Sequence, residues 1–338
     1  MYLLITIDTE GDDAWAGKGC EDNTENARYL PRFHRLCRRF GFKPTYLTTY
    51  EMASDDYFVD FARAALGRGE CEIGAHPHAW NQPPHFAVTD DDTWARPYLI
   101  EYPEHIMEQK VQRLTDLLTE RFDVPIRSHR AGRWAMNGTY ARILARHGYT
   151  VDCSVTPYSS VVVDRPAPYE VKVALPDYAH FPDTPYFLDE HDISRRGDLP
   201  VLELPMTVVP SYSRTLSAVY PRIPSSVGRR LVRGLMGQPF QWFRPTRKNS
   251  KDMFRVAEHK LKDGSDYIMF MLHSSEFMPG ANPMFRSYYD IEKLYIHLES
   301  LFHMLRQRGV KGATCAEYGQ YYVDSLRDTG RAQSAPSR

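Results

Sequence analysis

The chain opens on a continuous apolar run, Tyr2-Leu3-Leu4-Ile5-Thr6-Ile7, which stops at an acidic cluster beginning with Asp8. A β-rich run of this length, bounded by charge, predicts a buried strand. From Asn23 to about Phe40 the apolar residues Tyr29, Phe33, Leu36, Cys37 and Phe40 recur every three to four positions, and Gly41 follows. That is the period of an amphipathic helix with a glycine stop. Pro44–Thr48 and Cys71–Ala75 predict two more strands. Between them a helix after Asp55-Asp56 carries Phe58, Phe61, Ala62 and Ala65 on one face. Further helices are expected over Glu104–Arg121 and Asn137–His147, with strands near Ile126 and over Tyr149–Ser154. Leu202–Pro205 and Tyr267–Leu272 predict the last strands, and Tyr288–Gln307 and Ala316–Leu326 the last helices.

Strands alternating with helices build βα units on a mostly parallel sheet. Roughly seven strands suit either a (β/α) barrel or a doubly wound sheet. Residues of chemical interest each stand just after a predicted strand: Asp8 and Glu10, His76 and His78, Arg130, Asp152, and His273. The carboxyl ends of the strands form the active-site face in such folds. Residues 155–200 and 208–250 are irregular and proline-rich, and read as insertions. Residues 328–338 are polar and read as a disordered tail.

Composition narrows the function classes. With 338 residues, 42% hydrophobic and 25% charged, the chain is neither disordered, collagen-like nor a coiled coil. Lys and Arg number 42 against 43 Asp and Glu, a net charge of −1. Such a balance argues against nucleic acid as the partner. The average hides a split, because residues 222–255 carry nine basic residues against Asp252 alone. Leu231, Val232, Leu235, Met236, Phe240, Trp242 and Phe243 are interleaved there. This mix suits peripheral contact with an anionic membrane or a phosphate group; it equally suits a solvated basic loop. The five cysteines form no CxxC pair, which fits a reducing compartment. No secretory leader and no run of about 18–20 apolar residues is seen, so the expectation is a cytoplasmic protein.

The candidate chemistry lies in four short stretches. Asp8-Thr9-Glu10 offers two carboxylates that converge at a strand end, one suited to a metal and one to a proton. His76-Pro77-His78 offers two imidazoles to one divalent ion, with His85 in reserve. Arg130 in Arg130-Ala131-Gly132-Arg133-Trp134 can hold a carboxylate. His273-Ser274-Ser275-Glu276 follows the most apolar strand. Each stretch taken alone is as readily a rim loop.

Together, in this order, they resemble the NodB-homology polysaccharide deacetylases, carbohydrate esterase family 4. The resemblance runs from Thr6 to about Glu317. It implies an α/β fold, a distorted (β/α)7-type barrel of mostly parallel strands with irregular insertions, forming one domain over residues 1–327. The family's first motif, TFDD, stands here as Thr6-Ile7-Asp8-Thr9-Glu10, with Asp8 as catalytic base and Glu10 in place of the metal carboxylate. The HxxxH motif departs to His76-Pro77-His78-Ala79-Trp80. His76 carries over, His78 is the inferred second ligand, and Trp80 stands where the second histidine is expected. Ser128-His129-Arg130-Ala131-Gly132 resembles the motif whose arginine orients the base. Asp152-Cys153-Ser154 resembles the pocket-lining fourth motif, and Leu272-His273 the motif of the general acid. The resemblance therefore implies catalytic Asp8, Arg130, Asp152 and His273, and a divalent metal, most simply Zn2+, on Glu10, His76 and His78. It implies removal of an N-acetyl group from a sugar or glycan intermediate, nucleotide- or lipid-linked, in surface-polysaccharide biosynthesis. Two alternatives stay open: an amidohydrolase acting on a small non-sugar amide, and a non-catalytic glycan-binding relic.

Overall fold

The computed structural model describes residues 1–12, 23–86, 96–159, 175–211, 223, 231–232, 235 and 239–328. The expected tail from 329, and much of the basic stretch 222–255, lie outside the described residues. The first apolar run forms β1 (Tyr2–Thr9), buried along nearly its whole length. A short 3-10 turn leads into α1 (Leu30–Arg39), which is shorter than the predicted helix. Then come β2 (Pro44–Thr48), α2 (Tyr50–Ser54) and α3 (Asp56–Leu66), the last capped by the Asp55 carboxylate accepting from Phe58 N. β3 (Glu72–Ala75), α4 (Glu104–Phe122), β4 (Ser128–His129), α5 (Gly138–Arg146) and β5 (Val151–Asp152) complete the first half.

The second half holds β6 (Tyr186–Phe187), β7 (Leu202–Glu203) and a separate hairpin of β8 (Val208–Pro210) with β9 (Phe240–Trp242). It closes with α6 (Ser250–Lys262), β10 (Tyr267–His273), α7 (Tyr288–Gln307), β11 (Lys311–Ala313) and α8 (Cys315–Asp328). The pattern of hydrophobic positions did not reveal β6, β8, β9 or β11, which are two or three residues long, or α6, which begins where the irregular stretch 208–250 ends.

Among the described residues the main sheet has nine strands, ordered β10-β1-β2-β3-β4-β5-β7-β6, with β11 also on β1. All its pairings are parallel except β6 with β7. The result is an α/β fold whose curled, mostly parallel sheet is that expected of a distorted (β/α)7 barrel. β1 lies between β10 and β2, and its register sets Asp8 opposite His273. Two residues 265 positions apart in sequence thus meet at one strand end.

The register also decides which face each side chain takes, because residues paired across a sheet project to the same side. One row runs Asp8, Leu47, Gly74, Ser128, Val151, Leu202. The next runs Thr9, Thr48, Ala75, His129, Asp152, Glu203 and projects to the opposite face.

Candidate active site

Five of the residues singled out from the sequence come together at the carboxyl ends of β1, β3 and β10. Glu10 Oε2 is 3.3 Å from His78 Nε2 and 3.6 Å from His76 Nε2. The two imidazole Nε2 atoms are 3.2 Å apart. Ligand atoms about 2.0–2.1 Å from a tetrahedral ion sit about 3.3 Å from one another, so the three atoms fit one divalent ion. All three residues are buried, and together they form the metal-type cluster found among the described residues. His76 Nδ1 donates to the Arg130 carbonyl at 2.9 Å, which leaves Nε2 as its ligand atom. His85, the reserve ligand, is exposed and takes no part in the cluster.

Electrostatics agree with the geometry. Burial acts to raise the Glu10 pKa, but the His273, His76 and His78 rings outweigh it and hold the carboxyl well below its ordinary value. Burial acts to lower the His76 pKa, and Asp8 and Glu10 outweigh that, raising it.

Asp8 stands beside this cluster. Its Oδ1 accepts from Arg130 Nη1, and its Oδ2 is 3.9 Å from both His76 Nε2 and His273 Nε2. Arg130 is fully buried, a position that costs several kcal/mol unless the charge is matched. Every nitrogen of its fork is matched. Nε donates to the Cys153 carbonyl at 2.9 Å, Nη2 to Thr6 Oγ1 at 2.9 Å, and the guanidinium carbon sits 4.6 Å from the Trp134 ring centre. Burial lowers the Arg130 pKa, and Asp8 more than reverses that. Arg130 is thus a permanent cation aimed at one oxygen of Asp8, leaving the other toward the cluster.

His273 faces the cluster from the other side, with Nε2 3.6 Å from Glu10 Oε1. Behind it stand two residues that the sequence did not mark as functional. Glu276 Oε2 accepts from the His273 backbone N–H at 2.8 Å and lies 3.2 Å from its Nδ1. Arg244 Nη2 donates to Glu276 Oε1 at 3.0 Å and lies 3.1 Å from His273 Nδ1. Burial raises the Glu276 pKa, and Arg244 and His273 outweigh it, so the carboxyl is lowered. A glutamate three residues after a strand-end residue is a capping-box spacing, and that signal could have found Glu276. Nothing local marks Arg244, which comes from the basic insertion just after β9.

Asp152 has a different setting from the pocket lining expected of it. It lies in the register row that projects away from Asp8, and it is fully buried. Its Oδ1 pairs with His129 Nδ1 at 2.7 Å and accepts from Ser154 Oγ at 2.8 Å. His129 Nε2 in turn meets Tyr140 OH of α5 at 2.8 Å, so this network sits between sheet and helix. It reaches the loop that carries Arg130 through Ala131 N, which donates to Ser154 Oγ at 2.8 Å.

No protein-family model matches the chain, and no match to it is found among curated proteins. Solved structures do share its fold. One is a protein from Mycobacterium smegmatis provisionally assigned as a polysaccharide deacetylase, 16% identical, with a TM-score of 0.53 over 99% of this chain and 94% of that one. Another, from Parabacteroides distasonis, is provisionally assigned as a glycoside hydrolase or deacetylase. It is 10% identical, with a TM-score of 0.59 over 96% of this chain and 71% of that one. A third is a GH57 branching enzyme from Thermococcus kodakaraensis, 11% identical, with a TM-score of 0.54 over 95% and 71%. Identities this low establish the fold. The same fold carries more than one carbohydrate chemistry, so the reaction must be argued from the site.

Proposed function

We propose that this protein is a metal-dependent hydrolase that removes an N-acetyl group from a sugar or glycan. One observation carries the reading: Glu10, His76 and His78 converge on a single point that Asp8 and His273 flank, each with its own partner behind it. A divalent ion held there, for which zinc is the proposal, supplies Lewis acidity toward a carbonyl oxygen and lowers the pKa of water to about 7. Asp8 takes the proton of the attacking water on Oδ2, while Arg130 keeps Oδ1 engaged and the carboxylate ionised. His273 delivers a proton from Nε2 to the departing amine nitrogen. Its Nδ1 lies 3.2 Å from Glu276 Oε2, and Arg244 holds Glu276 as a carboxylate. The amide C–N bond breaks, a C–O bond forms, and the products are acetate and a free amine. Asp152 acts at one remove, through Ser154, by holding the loop that carries Arg130.

The biosynthetic setting and the nucleotide- or lipid-linked form of the substrate belong to the same proposal, as does peripheral membrane contact through 222–255. No helix of the described residues is long and apolar enough to cross a membrane.

The test is acetate release by the zinc-loaded protein. The panel holds a nucleotide-linked N-acetylhexosamine, a lipid-linked one, chitin oligosaccharides and a small non-sugar amide. Release from an N-acetylated sugar, abolished by chelation, is the expected result. Release from the non-sugar amide alone transfers the protein to the amidohydrolases. No release from any member by zinc-bound protein overturns the catalytic reading in favour of a glycan-binding relic.

A further inference from the structure

His78 poses a physical problem. β3 ends at Ala75, so His78 stands on a loop and no strand geometry sets the direction of its ring. His76 is held by the bond from Nδ1 to the Arg130 carbonyl. Among the described residues no hydrogen bond is found at His78 Nδ1. The ring is instead enclosed by an indole and by backbone. The Trp80 indole stacks on it, with ring centres 4.4 Å apart and planes 25° apart. The Arg133 guanidinium lies 4.9 Å from the centre of the Trp80 ring. A Cβ placed on Gly132 would sit 2.6 Å from the Pro77 carbonyl oxygen and 2.7 Å from His78 Cδ2. The backbone of residue 132 therefore lies directly against the imidazole edge, an approach that a side chain would forbid.

The turn that achieves this is strained. Arg133 and Trp134 both adopt left-handed backbone, with φ of 53° and 61°, a conformation L-residues with side chains avoid. The strain is held in place by neighbours: Trp134 N donates to the Ala131 carbonyl at 2.9 Å, and Tyr178 OH donates to the Trp134 carbonyl. Backbone strain retained in this way clusters at sites where geometry matters to function. The same five-residue stretch, 130–134, also delivers Arg130 to Asp8.

We propose that Trp80, Gly132 and Arg133 form a clamp that fixes the His78 ring in its metal-binding orientation. They are positioning residues that do for His78 what a hydrogen bond does for His76. The inference rests on the metal-site reading above and deepens it. One loop then serves both halves of the site, bracing the base through Arg130 and the metal ligand through Gly132 and the Arg133–Trp80–His78 stack.

The test uses zinc alone as the probe, with affinity measured by competition against a chromophoric chelator. Metal-free melting curves check that each variant folds. Trp80→Leu removes the flat ring, Trp80→Phe keeps one, and Gly132→Ala pushes on the Pro77 carbonyl and the imidazole edge while leaving Trp80 in place. Loss of a group that orients a ligand weakens metal binding about 10–100-fold, so Trp80→Leu and Gly132→Ala are expected in that range and Trp80→Phe within about threefold of the parent. Wild-type affinity in both Trp80→Leu and Gly132→Ala overturns the clamp. A Trp80→Phe variant as weak as Trp80→Leu also overturns it, because ring stacking would then not be the cause. A parent protein that binds no zinc at neutral pH overturns the metal-site reading itself, an outcome distinct from either of these.

Discussion

Arg130 and Asp8 form a charge pair in the site, and both residues are buried. Removing one partner of such a pair leaves a buried charge unmatched, at a cost of about 3–5 kcal/mol. Arg130→Ala is therefore expected to lose about that much unfolding free energy in denaturant titration. A loss below about 1 kcal/mol would show that the pair contributes no more than an exposed ion pair does. Asp8→Asn preserves volume and removes the base. Acetate release should fall about 10²–10⁴-fold while zinc affinity stays near that of the parent. Glu276→Gln tests the opposite wall. It keeps an acceptor for the His273 backbone N–H but no longer offers a carboxylate to the ring. A fall in kcat of at least about tenfold, with KM little changed, is expected, since misorienting a catalytic histidine acts on the chemical step. Asp8 and His273 were legible because a charged residue ending an apolar run is conspicuous. Arg244 was not, because its partner Glu276 is 32 residues away and only the folded chain joins them.

Strand pairing decides the second network. Asp152 and Glu203 face each other across β5 and β7, on the same side of the sheet. Burial, and then the Asp152 charge, push the Glu203 carboxyl well above its ordinary value, so Glu203 is the member of the pair that keeps a proton. A folded-state pKa above the unfolded one contributes stability that is full below the unfolded pKa. It is lost as pH rises toward the folded value, here from about 4.5 upward. Glu203→Gln replaces the neutral acid by a neutral amide and removes that loss. Its stability relative to the parent should therefore grow with pH, by up to about 1.4 kcal/mol per unit between the unfolded and the folded pKa. Denaturant titrations at pH 5 and pH 7 measure this, and a constant difference would show that Glu203 is ionised in the native state. The expected strand Tyr149–Ser154 proved to pair at only Val151 and Asp152. Apolar periodicity shows where a strand is possible, while its length depends on where its neighbours end.

On the scale of the whole molecule, the sheet brings residues from positions 8 to 276 to one rim, so a bound ion would tie β1, the β3 loop and the β10 side together. Binding to the folded state alone stabilises it by about 2.7 kcal/mol at a hundredfold excess over Kd. Zinc should raise the melting temperature in a concentration-dependent way, and chelation should reverse it. An unchanged melting curve at saturating zinc would count against a site that exists only in the native fold. The basic insertion is the other feature of this scale. Its described end places Arg244 behind His273, so part of its charge is turned inward.

The sequence by itself determined the α/β class, the order of most elements, and the residues that end β1, β3 and β10. These are local properties: period, punctuation, and charge at the end of an apolar run. Only the tertiary structure decided which of those residues meet. Parallel registry set Asp8 against His273 and turned Asp152 to the far face of the sheet, while the segments between strands left His85 exposed and brought Arg244 and Glu276 behind the acid. Registry depends on contacts between segments up to 309 residues apart, and no local pattern encodes them.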